Sequence, residues 1–180
     1  MVLPPEYIAF HEAGHAVVYW WLGRWFECVS IARRCVEGKG GIVLRAEVDA
    51  VIMCMLAGPL AEQYFARGGQ LPAESGNAAA NDEAQALEWA RVRDEFAIVF
   101  RETDPRYGLT PEELAERLRA LTRDLLGHAP LWSGVQAVAR ELLKRDPLSY
   151  DEVSAILENK GLVRGVPREL GPWFPRKGET

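Results

Sequence analysis

The stretch AFHEAGHAVVYW (9–20) places two histidines and a glutamate inside a run that is otherwise apolar. The wider segment 7–22 is apolar nearly all round, which predicts a buried helix rather than a surface helix. Pro4 and Pro5 suit the start of that helix, and Gly23 is placed to end it. The sequence therefore predicts a core helix that carries three ionisable side chains.

His11 and His15 stand four residues apart, and Glu12 directly follows the first of them. In a helix this spacing corresponds to about 6 Å along the axis and about 40° around it, so both imidazoles project from one face. Two neutral imidazoles favour a borderline cation such as Zn²⁺, which lowers the pKa of a bound water from about 15.7 to about 7. Glu12 is then the candidate general base, and the cation explains why a buried carboxylate is tolerated. The alternative is a pair of hydrogen-bonded core histidines.

A catalytic zinc site needs a third protein ligand besides the two histidines. The remaining histidine, His128, lies far along the chain, and no histidine follows His15 at the metzincin spacing. The carboxylate candidates are Glu62, Asp82 and Glu83. Spacing alone does not choose among them.

Beyond this helix, the patterns predict a small β element and then a second helix. The β-branched stretch 27–32 and the apolar stretch 42–46, joined by a glycine-rich turn, predict a β-hairpin. The segment 49–67 is helical in composition. Gly58 and Pro59 in its middle predict a kink or a restart of that helix.

The rest of the chain is predicted to be mainly helical. A loop over 68–80 precedes a helix over 81–100. Three further helices are predicted. The first begins at the capping-box pair Thr110 and Glu113 and runs to about Leu126, and the second covers 131–144. The third begins at the pair Ser149 and Glu152 and ends near Gly161. Residues 162–180 are rich in Pro and Gly, which predicts an irregular tail. The expected architecture is one domain over 1–161, mainly α with a small β-hairpin or sheet.

The composition bounds the class of protein. The 180 residues, 48% hydrophobic and 26% charged, suit one globular domain. A net charge of -5 and a pI near 5.3 argue against nucleic acid as a partner. Three cysteines without CxxC spacing favour reduced thiols over a disulfide framework. The N-terminal segment lacks the features of a secretory signal and of a membrane span, so we expect a soluble cytoplasmic protein without membrane insertion.

In chain order, these motifs resemble the peptidase domain of the FtsH family of ATP-dependent zinc proteases, over about residues 6–160. The segments that carry the resemblance are the metal-binding helix AFHEAGHAVV (9–18), the strand and hairpin VSIARRCVEGKGGIV (29–43), the small-residue helix MLAGPLAEQYF (55–65), the Asn-Asp segment SGNAAANDEAQALEWAR (75–91) and the helical pair AVARELLKRDPLSYDEVSAIL (137–157). The first and the fourth of these are the most specific.

The resemblance implies an FtsH-like zincin peptidase fold in which His11, His15 and Asp82 bind zinc and Glu12 is the general base. It favours Asp82 over Glu62, which would then orient a ligand imidazole or be a solvated helix carboxylate. The chain departs from the family in that nothing in it resembles an ATPase phosphate loop or a transmembrane segment, and in the proline at position 59 of the small-residue helix. We therefore expect that it does not unfold substrates with ATP by itself.

The sequence therefore predicts a zinc-dependent endopeptidase that cleaves unfolded or flexible polypeptides without ATP, with the substrate laid along the edge of the hairpin. The alternative is a metal-stabilised interaction or regulatory domain without proteolysis, which the missing ATPase favours. Hydrolysis of a small non-peptide amide is a weaker alternative. A separate ATPase or unfoldase partner and a homo-oligomer are both compatible with the sequence.

Overall fold

The computed structural model describes residues 4–33, 35–37, 45–66, 77–97 and 109–164. These residues form the helices α1 (Pro5–Trp21), α2 (Arg45–Ala66), α3 (Asn77–Ala97), α4 (Pro111–Gly127), α5 (Ala129–Leu142) and α6 (Tyr150–Asn159), and the strands β1 (Cys28–Ser30), β2 (Cys35–Glu37) and β3 (Leu148–Ser149). The predicted fold class, mainly helical with a small β element, is confirmed.

The centre of the molecule is the pair of helices α1 and α2. α1 contacts α2, α5 and α6, while α2 also packs against α3 and α4. Buried residues follow one another almost without interruption from Ala9 to Trp21, as the all-round apolar pattern predicts. Gly23, with a φ of 73°, adopts the left-handed conformation that ends the helix. The described residues include no helix that is both long and apolar enough to cross a membrane.

The sheet is antiparallel, with β1 between β2 and β3. The expected hairpin is present, but its predicted second strand over 42–46 is wrong. The partner strand is β2 at Cys35–Glu37, residues 45 and 46 already belong to α2, and residues 42–44 lie outside the described part of the chain.

A side chain from the far end of the chain explains this early turn. The carboxylate of Asp146 accepts hydrogen bonds from the backbone N–H groups of Ile31 and Ala32, each at 3.0 Å. It also accepts one from the hydroxyl of Ser30 at 3.2 Å. These bonds stabilise a turn directly after β1, so the chain reverses before it reaches the glycine-rich segment.

The helix α2 runs through Gly58 and Pro59, so the predicted restart at these residues is wrong. Proline removes one backbone hydrogen bond and crowds the preceding turn. All residues of the segment 56–62 are buried, however, and this part of α2 is packed among other helices. The packing on both sides of the proline outweighs the local preference.

The start of α3 also differs from the prediction. The helix begins at Asn77, within the segment 68–80 that is predicted as a loop, because the alanines of 78–80 continue the helix towards the N-terminus. Asp82 therefore lies in the second turn rather than the first. Residues 67–76 and 98–100 lie outside the described part of the chain.

Both predicted capping boxes are confirmed. The hydroxyl of Thr110 accepts from the N–H of Glu113 at 3.2 Å, and the Glu113 carboxylate accepts from the N–H of Thr110 at 2.8 Å. Ser149 and Glu152 make the same reciprocal pair at the start of α6. The first residues of the predicted tail, 162–164, have no regular structure, and 165–180 lie outside the described residues.

Candidate metal centre

The side chains of three predicted site residues converge between α1 and α3. His11 and His15 project from α1, and Asp82 reaches them from α3. Oδ2 of Asp82 lies 2.9 Å from Nε2 of His11 and 3.3 Å from Nε2 of His15. The two Nε2 atoms are 3.1 Å apart. The fold thus brings together residues that are 71 positions apart in the sequence.

The arrangement of these three atoms fits a metal site. Tetrahedral zinc with metal–ligand distances of about 2.0–2.1 Å has ligand atoms about 3.3 Å apart. The observed triangle, with sides of 2.9, 3.1 and 3.3 Å, needs to open by only a few tenths of an ångström. In the described part of the chain, no other group of three or more His, Cys, Asp or Glu side chains converges in this way. His11, His15 and Asp82 can therefore hold a metal ion.

Each imidazole is oriented by a bond to its other ring nitrogen. Nδ1 of His15 donates to the backbone carbonyl of Cys54 at 2.6 Å, and Nδ1 of His11 donates to Oε2 of Glu62 at 3.2 Å. With the Nδ1 protons engaged in this way, neutral imidazoles present their Nε2 lone pairs to a cation. Both acceptors belong to α2, so this helix orients the ligands that α1 supplies.

The metal-free cluster is a strongly coupled set of charges. Burial alone would lower the pKa of His11, but its hydrogen bonds to Asp82 and Glu62, together with the charge of Glu12, raise that pKa to about 9. Burial would raise the pKa of Asp82, but hydrogen bonds from His11 and His15 lower it to about 2. At neutral pH the His11 ring of the metal-free protein is therefore protonated. The exposed fractions of the three side chains, 6%, 12% and 17%, leave the cluster partly open to solvent.

Glu12 lies on the ligand-bearing helix and is only 3% exposed. A carboxylate at such a depth is costly unless nearby positive charge compensates it. His11 supplies such charge in the metal-free protein, and its raised pKa reflects the same interaction. A divalent ion bound to the two histidines would supply more.

The other candidate ligands lie elsewhere. Glu62 contacts Nδ1 of His11 and does not join the three converging atoms. Glu83 forms an ion pair with Arg119 of α4 at 2.8 Å. His128 is exposed at the junction of α4 and α5. Among the candidates, Asp82 is therefore the one whose carboxylate converges with the two histidines.

Two parts of α2 contribute to the site in ways that the sequence does not predict. The Cys54 carbonyl is a backbone group, so no pattern of residue types predicts its role. Gly58 faces both imidazoles. The one indication of this in the sequence is that a glycine occupies the interior of an alanine-rich helix. That glycine is interpreted from the sequence only as a helix breaker.

Comparison with known proteins assigns no family. No protein-family model matches the chain, and no curated protein matches it in sequence. The geometry of the candidate metal centre is therefore the feature that bears on function.

Proposed function

We propose that this protein is a zinc-dependent metallopeptidase with an FtsH-like peptidase fold that cleaves unfolded or flexible polypeptides. One observation carries the proposal. Nε2 of His11, Nε2 of His15 and Oδ2 of Asp82 lie within 3.3 Å of one another, and Glu12, which follows His11 on α1, is buried. Three protein ligands and a neighbouring carboxylate are the components of a hydrolytic zinc site.

The set of donor atoms favours zinc. Two imidazoles and one carboxylate suit a borderline cation, and three protein ligands leave a coordination position open. When bound, zinc would polarise the carbonyl of the scissile amide and make a water acidic enough to act as a nucleophile at neutral pH.

Glu12 would carry the proton transfers. Its carboxylate takes a proton from the attacking water and delivers it to the nitrogen of the leaving amine, so the residue ends each cycle in its starting state. The apolar residues of α1 next to Glu12 keep bulk water away from its carboxylate. This strengthens the interaction of the carboxylate with the charges of the site.

The sheet supports an extended polypeptide as the substrate. Among the described strands, β2 and β3 are the outer strands and β1 is the middle one. Both β1 and β2 contact α1, the helix that bears the histidines. A flexible peptide could add to an outer edge through main-chain hydrogen bonds, whereas a folded protein would first have to release a strand.

The test compares the full chain with Glu12→Gln, using Glu6→Gln as the matched control. Glu6 is exposed in the first turn of the same helix, so its substitution makes the same chemical change away from the site. We expect about one zinc per chain in all three proteins. Cleavage of casein should fall about 10²- to 10⁴-fold in Glu12→Gln alone.

Three outcomes would contradict the proposal. Equal cleavage by the wild-type protein and Glu12→Gln would exclude Glu12 as the base. Bound zinc without cleavage of casein or of an unstructured peptide library would favour the metal-stabilised, non-catalytic domain. Absence of metal after incubation with excess Zn²⁺ would remove the basis of both functions.

A further inference from the structure

Gly58 of α2 lies directly against the two histidines. A Cβ atom built on Gly58 would lie 2.3 Å from Nε2 and 2.7 Å from Cε1 of His15, and 2.8 Å from Nε2 of His11. Real Cβ atoms essentially never come closer than 3.0 Å to such neighbours. Any side chain at this position is therefore incompatible with the observed positions of both rings.

We propose that Gly58 is a positioning residue of the metal centre, whose missing side chain allows the two Nε2 atoms to converge on Asp82. A methyl carbon there would compete for space with an ion about 2.0–2.1 Å from the same two nitrogens. The inference rests on the metal site proposed above, and it adds a requirement on α2, which supplies none of the three converging atoms.

The helix propensity of glycine supports this role. An interior glycine destabilises a helix by about 1 kcal/mol relative to alanine. The neighbours Ala57 and Ala61 show that α2 uses alanine at other buried positions of this segment. A competing explanation is Pro59, because a residue before proline is disfavoured in the helical conformation when it carries a Cβ. The experiment has to separate the two explanations.

Gly58→Ala should leave the fold intact and disrupt the site. The atoms that its methyl group meets are the ends of rotatable side chains rather than backbone, so the imidazoles can swing away. In doing so they lose the Nδ1 bonds to Cys54 and Glu62, which measure 2.6 and 3.2 Å. The Nε2 atoms then no longer face Asp82 together.

The first experiment measures Zn²⁺ and Co²⁺ affinity of the full chain for the wild-type protein, Gly58→Ala and Gly134→Ala. Gly134 is a matched control, because a Cβ there would also meet only side-chain ends, at 2.8 Å from Leu157 and from Leu162. We expect Gly58→Ala to lose at least about 10- to 100-fold in affinity, the range for lost ligand-orienting contacts. Gly134→Ala should bind as the wild-type protein does. Equal affinity of Gly58→Ala and wild type, or an equal loss in Gly134→Ala, would overturn the proposal.

Pro59→Ala and the double variant Gly58→Ala/Pro59→Ala address the competing explanation. If the imidazole contact matters, the double variant binds metal as weakly as Gly58→Ala. If removal of the proline restores affinity to the double variant, the proline is the reason for the glycine and the proposal fails.

The melting temperature of metal-free protein is a second measurement, and it tests the role of Gly58 independently of the proposed function. Gly58→Ala should lower the melting temperature when both imidazoles are present and should not lower it in His11→Ala/His15→Ala, where the clash is gone. An equal decrease in both backgrounds would overturn the role of Gly58. If the wild-type protein binds neither ion, the metallopeptidase proposal fails, and this comparison alone decides whether Gly58 makes room for the rings.

Discussion

In the candidate centre, the Nδ1 atoms of the two imidazoles donate hydrogen bonds to acceptors of different kinds. His15 donates to a backbone carbonyl, that of Cys54, and His11 donates to the carboxylate of Glu62. No side-chain substitution can remove the carbonyl acceptor, whereas the carboxylate acceptor can be removed alone. The orientation of His11 is therefore the part of the site that mutation can test.

Glu62→Ala should weaken zinc binding about 10- to 100-fold, because the imidazole of His11 loses the acceptor that holds its Nδ1 proton. Glu62→Gln retains an oxygen acceptor and should lose less. Titration with Co²⁺ or Zn²⁺ measures both effects, and Glu88→Ala, an exposed position on α3, serves as the control. Unchanged affinity in Glu62→Ala would show that packing alone orients the ring.

Zinc uptake should release a proton and strengthen as the pH rises. The pKa of His11 in the metal-free protein is raised to about 9, so at pH 7 the ring is protonated and a cation has to displace that proton. Affinity should therefore increase about tenfold per pH unit up to about pH 9 and then level off. Calorimetry in buffers of different ionisation enthalpy counts the protons released. A pH-independent affinity between pH 7 and 9 would contradict the protonated cluster.

At the scale of helices, α1 and α2 approach each other closely at small residues. A Cβ on Gly14 would lie 2.6 Å from Cβ of Ala61 and 2.7 Å from the carbonyl oxygen of Ala57. Because backbone is involved, the two helices have to move apart to admit it. Gly14→Ala should lower the free energy of unfolding by about 1–3 kcal/mol, as measured by urea denaturation. A stable Gly14→Ala protein with native zinc affinity would show that the helix pair adjusts without cost.

The helices α2 and α3 are joined by a buried ion pair. Nε of Arg93 lies 2.8 Å from Oδ1 of Asp49, and both side chains are almost completely buried. Arg93→Met should cost about 3–5 kcal/mol in unfolding free energy, because the Asp49 carboxylate stays buried and loses its ion pair with Arg93. Asp49→Leu/Arg93→Met should cost much less, since neither charge then remains. Equal losses in the single and double variants would assign the effect to packing.

Local signals predict the helix starts that depend on neighbouring residues alone. The capping boxes of Thr110 and Ser149 are of this kind, because each needs only a glutamate three residues later. The position of β2 depends instead on Asp146, which lies 115 positions beyond Ile31. A contact over this distance exists only in the folded chain, so the turn residues themselves do not reveal it.

For the whole molecule, local sequence predicts the relation between the two histidines, whereas the position of the aspartate depends on long-range packing. The spacing of His11 and His15 predicts that they share a face, because one helical turn determines it. The choice of Asp82 over Glu62 depends on how α3 packs against α2, because this packing brings Asp82 to the histidines of α1 and no spacing within the sequence encodes it. In the folded chain Asp82 converges with the two histidines, and Glu62 contacts only Nδ1 of His11.

A metal ion at this site would tie α1 to α3, so the stability of the whole fold should depend on it. An ion that binds only the folded protein stabilises it by about 2.7 kcal/mol when present at 100 times its dissociation constant. Zinc should therefore raise the melting temperature of the wild-type protein, and a chelator should reverse the rise. Glu12→Gln retains all three ligand groups and should show the same shift, whereas Asp82→Ala should show little. If zinc leaves the melting temperature of the wild-type protein unchanged, the three side chains form only a hydrogen-bonded core cluster.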